Sequence, residues 1–121
     1  GGRAQVDNSV RARYGVALLP SLIEAGDPSN VQLVYDALAG SVLSQVSITS
    51  ELGAEHQAKL IDALPETLVE LLLRSAKIGD AGVQLLADRM QRGKLSKLVI
   101  VDLAGNVIGR VGAEALAGAL R

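Results

Sequence analysis

One pattern is written twice in this chain, 30 residues apart, and it constrains the fold more than any other feature. The first copy begins at Leu68 and the second at Leu98. Repetition at a period of this length indicates stacked units, each burying its apolar face against the next. The identical positions are Leu68/Leu98, Val69/Val99, Leu73/Leu103, Ile78/Ile108, Gly79/Gly109, Gly82/Gly112, Leu86/Leu116 and Ala87/Ala117.

Each copy has the pattern of a short strand, a turn and a helix. Leu71 and Leu73 alternate with other residues in the first copy, as Val101 and Leu103 do in the second, so these side chains are expected to point inward. A helix between two strands favours parallel pairing, with the helices packed on one side of the sheet. The repeated glycines are expected to let the chain turn tightly out of each strand.

A shorter, degenerate copy precedes these two. Leu43, Val46 and Ile48 form a strand pattern, Leu60 and Ile61 belong to a helix pattern, and a proline closes the unit. The sequence therefore predicts an array of about three copies over residues 43–67, 68–97 and 98–121.

Residues 1–42 are expected to form a helical cap that precedes the array, with residues 3–8 loose and the first helix starting near Val10. Two helices are predicted within residues 9–40, with a kink or break at Pro20. Gly26 is the expected stop, and Asp27-Pro28 is the expected start of the second helix. Apolar residues at helical spacing predict its buried face: Val31, Val34, Tyr35 and Leu38.

The spacing L-x-x-L-x-L, followed by Ile-Gly-x-x-Gly and a helix, resembles the leucine-rich repeat, and in particular its ribonuclease-inhibitor-like subfamily. The resemblance spans residues 43–121. It implies an α/β fold: a short right-handed solenoid with parallel strands on the concave side and helices on the convex side. The family's buried asparagine is matched by Asn106, whereas the preceding copy has Ala76, which indicates a short or divergent array.

The segment LLPSLIEAGDPSNVQLVYDALAGSVL resembles one armadillo or HEAT unit, which is a helix, a Gly-Asp-Pro turn and a second helix. The alternative interpretation is a helical cap that closes the end of the following solenoid. A single armadillo unit cannot bury both of its own faces, so the cap is the preferred interpretation.

The composition excludes several classes of function. The 121 residues predict one domain, and the formal net charge of -1 with no block of like charge favours neither nucleic acid nor an anionic membrane as a partner. Cysteine is absent, which excludes disulfides and thiolate chemistry. With no signal-peptide pattern, the expected location is cytoplasmic.

Three glycines, Gly105, Gly109 and Gly112, follow an apolar run and resemble the glycine-rich turn of a dinucleotide-binding unit. Their spacing does not fit that motif, because Val111 stands at a required glycine position. Structural glycines of the repeat are the preferred interpretation, so no cofactor is predicted.

The only histidine, His56, lacks a second histidine nearby and is expected to be solvent-exposed on a helix rather than a metal ligand. No nucleophile motif occurs, and the acidic residues are scattered. The sequence thus predicts no catalytic residue, no metal site and no enzyme.

The strand residues that point away from the core form the candidate binding face. Apolar anchors within a charged rim are what an interaction surface needs. The alternative is that these are ordinary exposed residues or are covered by a neighbouring element. The candidate residues are Glu70, Leu72, Arg74, Ile100 and Asp102, joined by Ala104 and, in the degenerate copy, by Gln45, Ser47 and Thr49.

The predicted function is a non-enzymatic interaction or scaffold module that binds a protein through the concave strands or through its open end. The last strand, near Leu98–Val101, is expected to pair with a longer parent chain, a partner or a second copy. The alternative is a regulatory role on a GTPase or on cytoskeletal filaments, which the resemblance alone suggests. In that case Arg74 or Arg110 would contact the GTPase.

Overall fold

The structure is a computed structural model that describes residues 2–119, with side chains described from residue 12 to residue 119. Two helices come first, and three strand–helix units follow. The elements are α1 (Gly2–Glu24), α2 (Pro28–Ala39), β1 (Gln45–Ser47), α3 (Ala54–Ala63), β2 (Glu70–Leu72), α4 (Asp80–Gln91), β3 (Ile100–Asp102) and α5 (Arg110–Ala119).

The three strands form one parallel sheet in the order β1-β2-β3. Val46, Leu71 and Val101 lie side by side across it, so the degenerate copy joins the sheet in the same register as the two clear copies. The prediction of parallel strands, each followed by a helix, is confirmed.

The core is aliphatic and lies between the sheet and the helices. Leu71 and Leu73 are at most 1% exposed, and they belong to one apolar cluster with Leu60 of α3 and Leu86 of α4. Branched and small side chains fill this layer without Phe or Trp. The predicted inward orientation of Leu71, Leu73, Val101 and Leu103 is confirmed.

The two N-terminal helices are confirmed, with two corrections. The Asp27 carboxylate caps α2 by accepting from the Asn30 backbone N–H at 3.2 Å, and Pro28 is the first helical residue. The expected start near Val10 is wrong, because α1 begins at Gly2, and of the kink or break expected at Pro20 the break is wrong, because α1 continues through Pro20 to Glu24. Proline removes one backbone donor, but the buried face of α1 before it, which includes Leu19, keeps the helix against α2.

The contact between α2 and α3 corrects the prediction for His56. This side chain is half-buried rather than solvent-exposed. Its ring stacks on the ring of Tyr35, and its Nδ1 lies 2.9 Å from the Tyr35 hydroxyl. Burial of Tyr35, with a smaller contribution from the charge of Glu55, raises the pKa of the Tyr35 phenol to about 12. The phenol therefore stays neutral and joins the helical pair to the first repeat unit.

Successive helices approach closely at a repeated glycine position. A Cβ atom on Gly82 would lie 2.6 Å from Gln57 Oε1, and one on Gly112 would lie 2.6 Å from Asp80 Oδ1. The same Asp80 oxygen accepts a hydrogen bond from the Gly109 backbone N–H at 2.6 Å. The repeated Ile-Gly-x-x-Gly pattern thus marks where one unit receives a polar side chain from the unit before it.

Asn106 joins the second unit to the third from inside the turn. Its amide donates to the carbonyls of Leu73 and Leu103, and its oxygen accepts from the Ile78 backbone N–H at 2.9 Å. Ala76, at the equivalent position of the second unit, is fully buried. The single amide therefore satisfies backbone groups of both turns.

We expect Gly112→Ala to destabilise the protein by about 1 to 3 kcal/mol, because its Cβ would also lie 3.1 Å from the Asp80 Cα, which is backbone. Gly118→Ala in the same helix is the matched control. Its Cβ would meet nothing closer than 3.7 Å, so higher helix propensity should leave stability unchanged or raise it by up to about 1 kcal/mol. Urea unfolding measures both variants, and equal effects would contradict the close-approach argument.

Asn106→Ala should lower the free energy of unfolding by about 2 to 3 kcal/mol, since it leaves the Ile78 N–H and the Leu73 carbonyl without this partner. Asn30→Ala is the control, because the exposed Asn30 amide bonds only Asp27 at its own helix start. It should cost less than about 1 kcal/mol. Urea unfolding measures the free energy of unfolding of both variants. If Asn106→Ala loses no more stability than Asn30→Ala, the Asn106 amide does not stabilise the two turns.

Candidate functional site

The outward residues of the three strands lie in two rows that cross the sheet. Gln45, Glu70 and Ile100 form one row, and Ser47, Leu72 and Asp102 form the next. We call the surface made by these outward residues and by Thr49, Arg74 and Ala104, just beyond the strand ends, the strand face. All five candidate residues from the sequence, Glu70, Leu72, Arg74, Ile100 and Asp102, lie on it.

Two polar contacts connect neighbouring strands on this face. Gln45 Nε2 donates to Glu70 Oε2 at 3.1 Å, between β1 and β2. Arg74 Nε donates to Asp102 Oδ2 at 2.6 Å, between the end of β2 and β3. Each contact thus joins side chains of two neighbouring strands across the strand face.

Asp102 is the most strongly oriented acid of the strand face. Its second oxygen accepts the Ala104 backbone N–H at 3.0 Å. This backbone hydrogen bond, and then the hydrogen bond and charge of Arg74, hold the pKa of Asp102 below its ordinary value. The group is therefore ionised at neutral pH.

The two apolar residues that were expected to be exposed on the strand face differ in their exposure. Ile100 is 45% exposed, as an apolar anchor on the surface should be. Leu72 is only partly exposed, because it belongs to the central strand and has Ser47 and Asp102 beside it on both sides. Ile100 is thus the principal apolar group of the strand face.

The sequence reasoning missed a second apolar surface, a groove of about 690 Å³ between α1 and α2. Its exposed side chains include Tyr14, Leu18 and Leu33, which are 67%, 56% and 63% exposed. The spacing of Tyr14 and Leu18 by four residues, and the position of Leu33 outside the buried face of α2, were the available signals.

The turn that contains Gly105 has the same left-handed backbone conformation as the equivalent turn of the preceding unit. Gly105 has φ of 73°, and Ser75, at the same position of the preceding unit, has φ of 55°. A left-handed residue at this position is therefore a property of the turn, whichever residue occupies it.

Among the residues that the structure describes, no cluster of three or more His, Cys, Asp or Glu side chains could hold a metal ion. No helix in the same part of the chain is long and apolar enough to cross a membrane.

Comparison with known families gives one match. The sequence model of the family described as Leucine Rich repeat matches residues 65–87 and 94–117. These segments contain β2 and β3 with most of the helices that follow them, so the match supports a leucine-rich repeat protein. No curated protein and no solved structure gives a significant match to the chain.

We expect Arg74→Gln to raise the pKa of Asp102 towards its ordinary value, though only in part, because the Ala104 N–H remains. A depressed pKa in the folded state contributes stability above the pKa of the unfolded chain, and this contribution is lost as the pH falls through the folded value. NMR titration of the Asp102 carboxyl carbon measures the change. Arg110→Gln, whose arginine bonds Glu114, is the control and should leave the titration of Asp102 unchanged. No change with Arg74→Gln would contradict the assignment.

Proposed function

We propose that this chain is a non-enzymatic interaction module that binds a protein partner through the strand face. The observation that carries the proposal is the exposure of outward residues on and just beyond three neighbouring strands, namely Gln45, Ser47, Arg74 and Ile100. Leucine-rich repeats generally mediate protein–protein interaction, which agrees with this use of the surface.

The chemistry of the strand face suits a protein ligand. Ile100 offers an exposed apolar contact on the edge strand β3, beside the polar side chains of Glu70 and Asp102, and an apolar anchor next to polar groups is a usual arrangement at interfaces. The contacts Gln45–Glu70 and Arg74–Asp102 join polar side chains of neighbouring strands on the same surface. The strand face thus offers a partner both apolar and polar contacts.

The proposed architecture is a short solenoid with a helical cap. Residues 43–121 would form the array of about three units, and residues 1–42 would cover its first unit. The contacts of α1 with β1 and of α2 with α3 support this arrangement. The bond between Tyr35 and His56 strengthens the same junction.

Regulation of a GTPase or of cytoskeletal filaments is the alternative that the resemblance suggested. A GTPase activator would need an arginine free to reach its partner. Arg74 is paired with Asp102, and Arg110 is paired with Glu114 at 3.0 Å. These exposed pairs are weak and leave both arginines able to reach a partner, but the alternative rests on the resemblance alone, so the interaction module is the function we propose.

Ile100→Glu combined with Ala104→Glu tests the strand face, since both side chains are exposed and replaceable without opening the core. We expect a loss of at least about 100-fold in affinity for the protein partner, the scale of removing an energetic anchor. Partners are identified by quantitative affinity capture with the purified wild-type chain, and each affinity is then measured by calorimetry.

Leu18→Glu combined with Leu33→Glu is the matched control, with the same added charge placed in the α1–α2 groove. It should retain partner binding, and circular dichroism should show both double variants folded. Equal partner affinity of the strand-face variant and the wild type would overturn the proposal. Loss of binding only in the control would place the partner in the groove instead, and would overturn it as well.

A further inference from the structure

Glu70 carries a charge on the strand face that no described cation balances. The ionisable residues of this face are Glu70, Arg74 and Asp102. Arg74 and Asp102 neutralise each other through the 2.6 Å contact between them. Within the part of the chain whose side chains the structure describes, no lysine or arginine forms an ion pair with Glu70. Its hydrogen bond from the Gln45 amide is uncharged, so the net negative charge of the face lies at Glu70.

The register of the sheet places this carboxylate beside the principal apolar group of the strand face. Glu70 and Ile100 are paired positions on β2 and β3, so their side chains leave the sheet about 5 Å apart. Glu70 is partly exposed, and Ile100 is 45% exposed. A protein surface that covers Ile100 therefore also removes water from the Glu70 carboxylate.

Loss of water at Glu70 is unfavourable unless the partner replaces it. A carboxylate taken out of water without a balancing charge is strongly destabilised. The Gln45 amide supplies one neutral hydrogen bond, to Oε2 of Glu70. A carboxylate accepts several hydrogen bonds, and those from a cation are shorter and stronger than neutral ones. A partner with a cationic donor at this point thus satisfies both requirements.

Asp102, the other acid beside Ile100, already has its partners. It lies two residues from Ile100 on β3, so both side chains point to the same side of the sheet. Arg74 donates to one oxygen of Asp102, and the Ala104 backbone N–H donates to the other. The charge that a partner must supply is therefore localised at Glu70.

This arrangement favours a basic protein segment over other classes of ligand. A nucleic acid or an anionic membrane brings phosphates, which the Glu70 carboxylate repels. A metal ion needs several ligands, and the described residues contain no cluster of three or more His, Cys, Asp or Glu side chains suited to one. A lysine or arginine side chain brings a cation and N–H donors together, and an apolar neighbour in the same segment can cover Ile100.

We propose that the protein partner of the strand face presents a lysine or arginine side chain to Glu70, next to an apolar side chain that covers Ile100. This inference rests on the proposed function, because it names the chemistry of the partner at the same surface. Ile100 supplies the apolar anchor, and Glu70 determines which partners are accepted, since a neutral or acidic partner leaves its charge unbalanced.

The test uses the purified chain and a phage-displayed library of random peptides. We expect the wild type to enrich peptides in which a lysine or arginine accompanies an apolar residue. Glu70→Gln keeps an acceptor for Gln45 but removes the charge, so the enrichment of basic residues should disappear. Glu70→Lys should enrich acidic residues instead. Glu114→Lys, at an exposed position of α5, changes the net charge equally and should leave the enrichment of basic residues as it is.

The affinity of one enriched peptide gives the size of the effect. Glu70→Gln should weaken its binding by about 10-fold or more, the scale of losing one member of a desolvated charge pair. Replacement of the peptide's basic residue by methionine should weaken binding equally, and the two changes together should have no larger effect than either alone. Calorimetry measures this double-mutant cycle. Additive losses, or an equal loss with Glu114→Lys, would contradict a direct contact at Glu70.

The outcomes separate this inference from the proposed function. Ile100→Glu with Ala104→Glu should bind none of the enriched peptides. If this double variant loses binding but the peptides show no preference for basic residues, or if Glu70→Gln keeps that preference, the inference is wrong and the strand-face function stands. If the double variant binds the peptides as the wild type does, or if the wild type enriches no peptide, both are wrong.

Discussion

The close stacking of one strand–helix unit on the next is the constraint on which the rest of the structure depends. Neighbouring helices approach where Gly82 and Gly112 leave room for Gln57 and Asp80 of the preceding unit. Asn106 then satisfies the backbone of two turns at once. With the spacing of helices and turns fixed in this way, the parallel strands keep one register across the sheet.

That register decides what the strand face can do. Because Glu70 lies beside Gln45, and Asp102 lies within reach of Arg74, polar side chains from different units meet and hold one another. Ile100 remains exposed beside them. In the function proposed above, such a surface would recognise a partner by the order of residues across units, which no single unit contains. Positions that do not repeat would then carry its specificity.

The stacking has a second consequence at the side of the array away from the helical pair. Every unit buries its apolar face only when a neighbour covers it. Val101 and Leu103 occupy the same positions as Leu71 and Leu73 and pack against the same core, but they are only partly buried, because no further unit of the described chain lies beside them.

The sequence by itself determined the repeat, the parallel order of the strands, the inward positions of Leu71 and Leu73 and the outward positions of the five candidate residues. These follow from periodicity, because a period of two fixes the face of a strand and a repeat fixes equivalent positions. Only the tertiary structure decided how far each position is exposed and what it contacts. Leu72 is shielded by neighbouring strands, His56 is half-buried against Tyr35, and Pro20 lies within a continuous helix. Each depends on residues distant in the sequence, so the local pattern could not determine it.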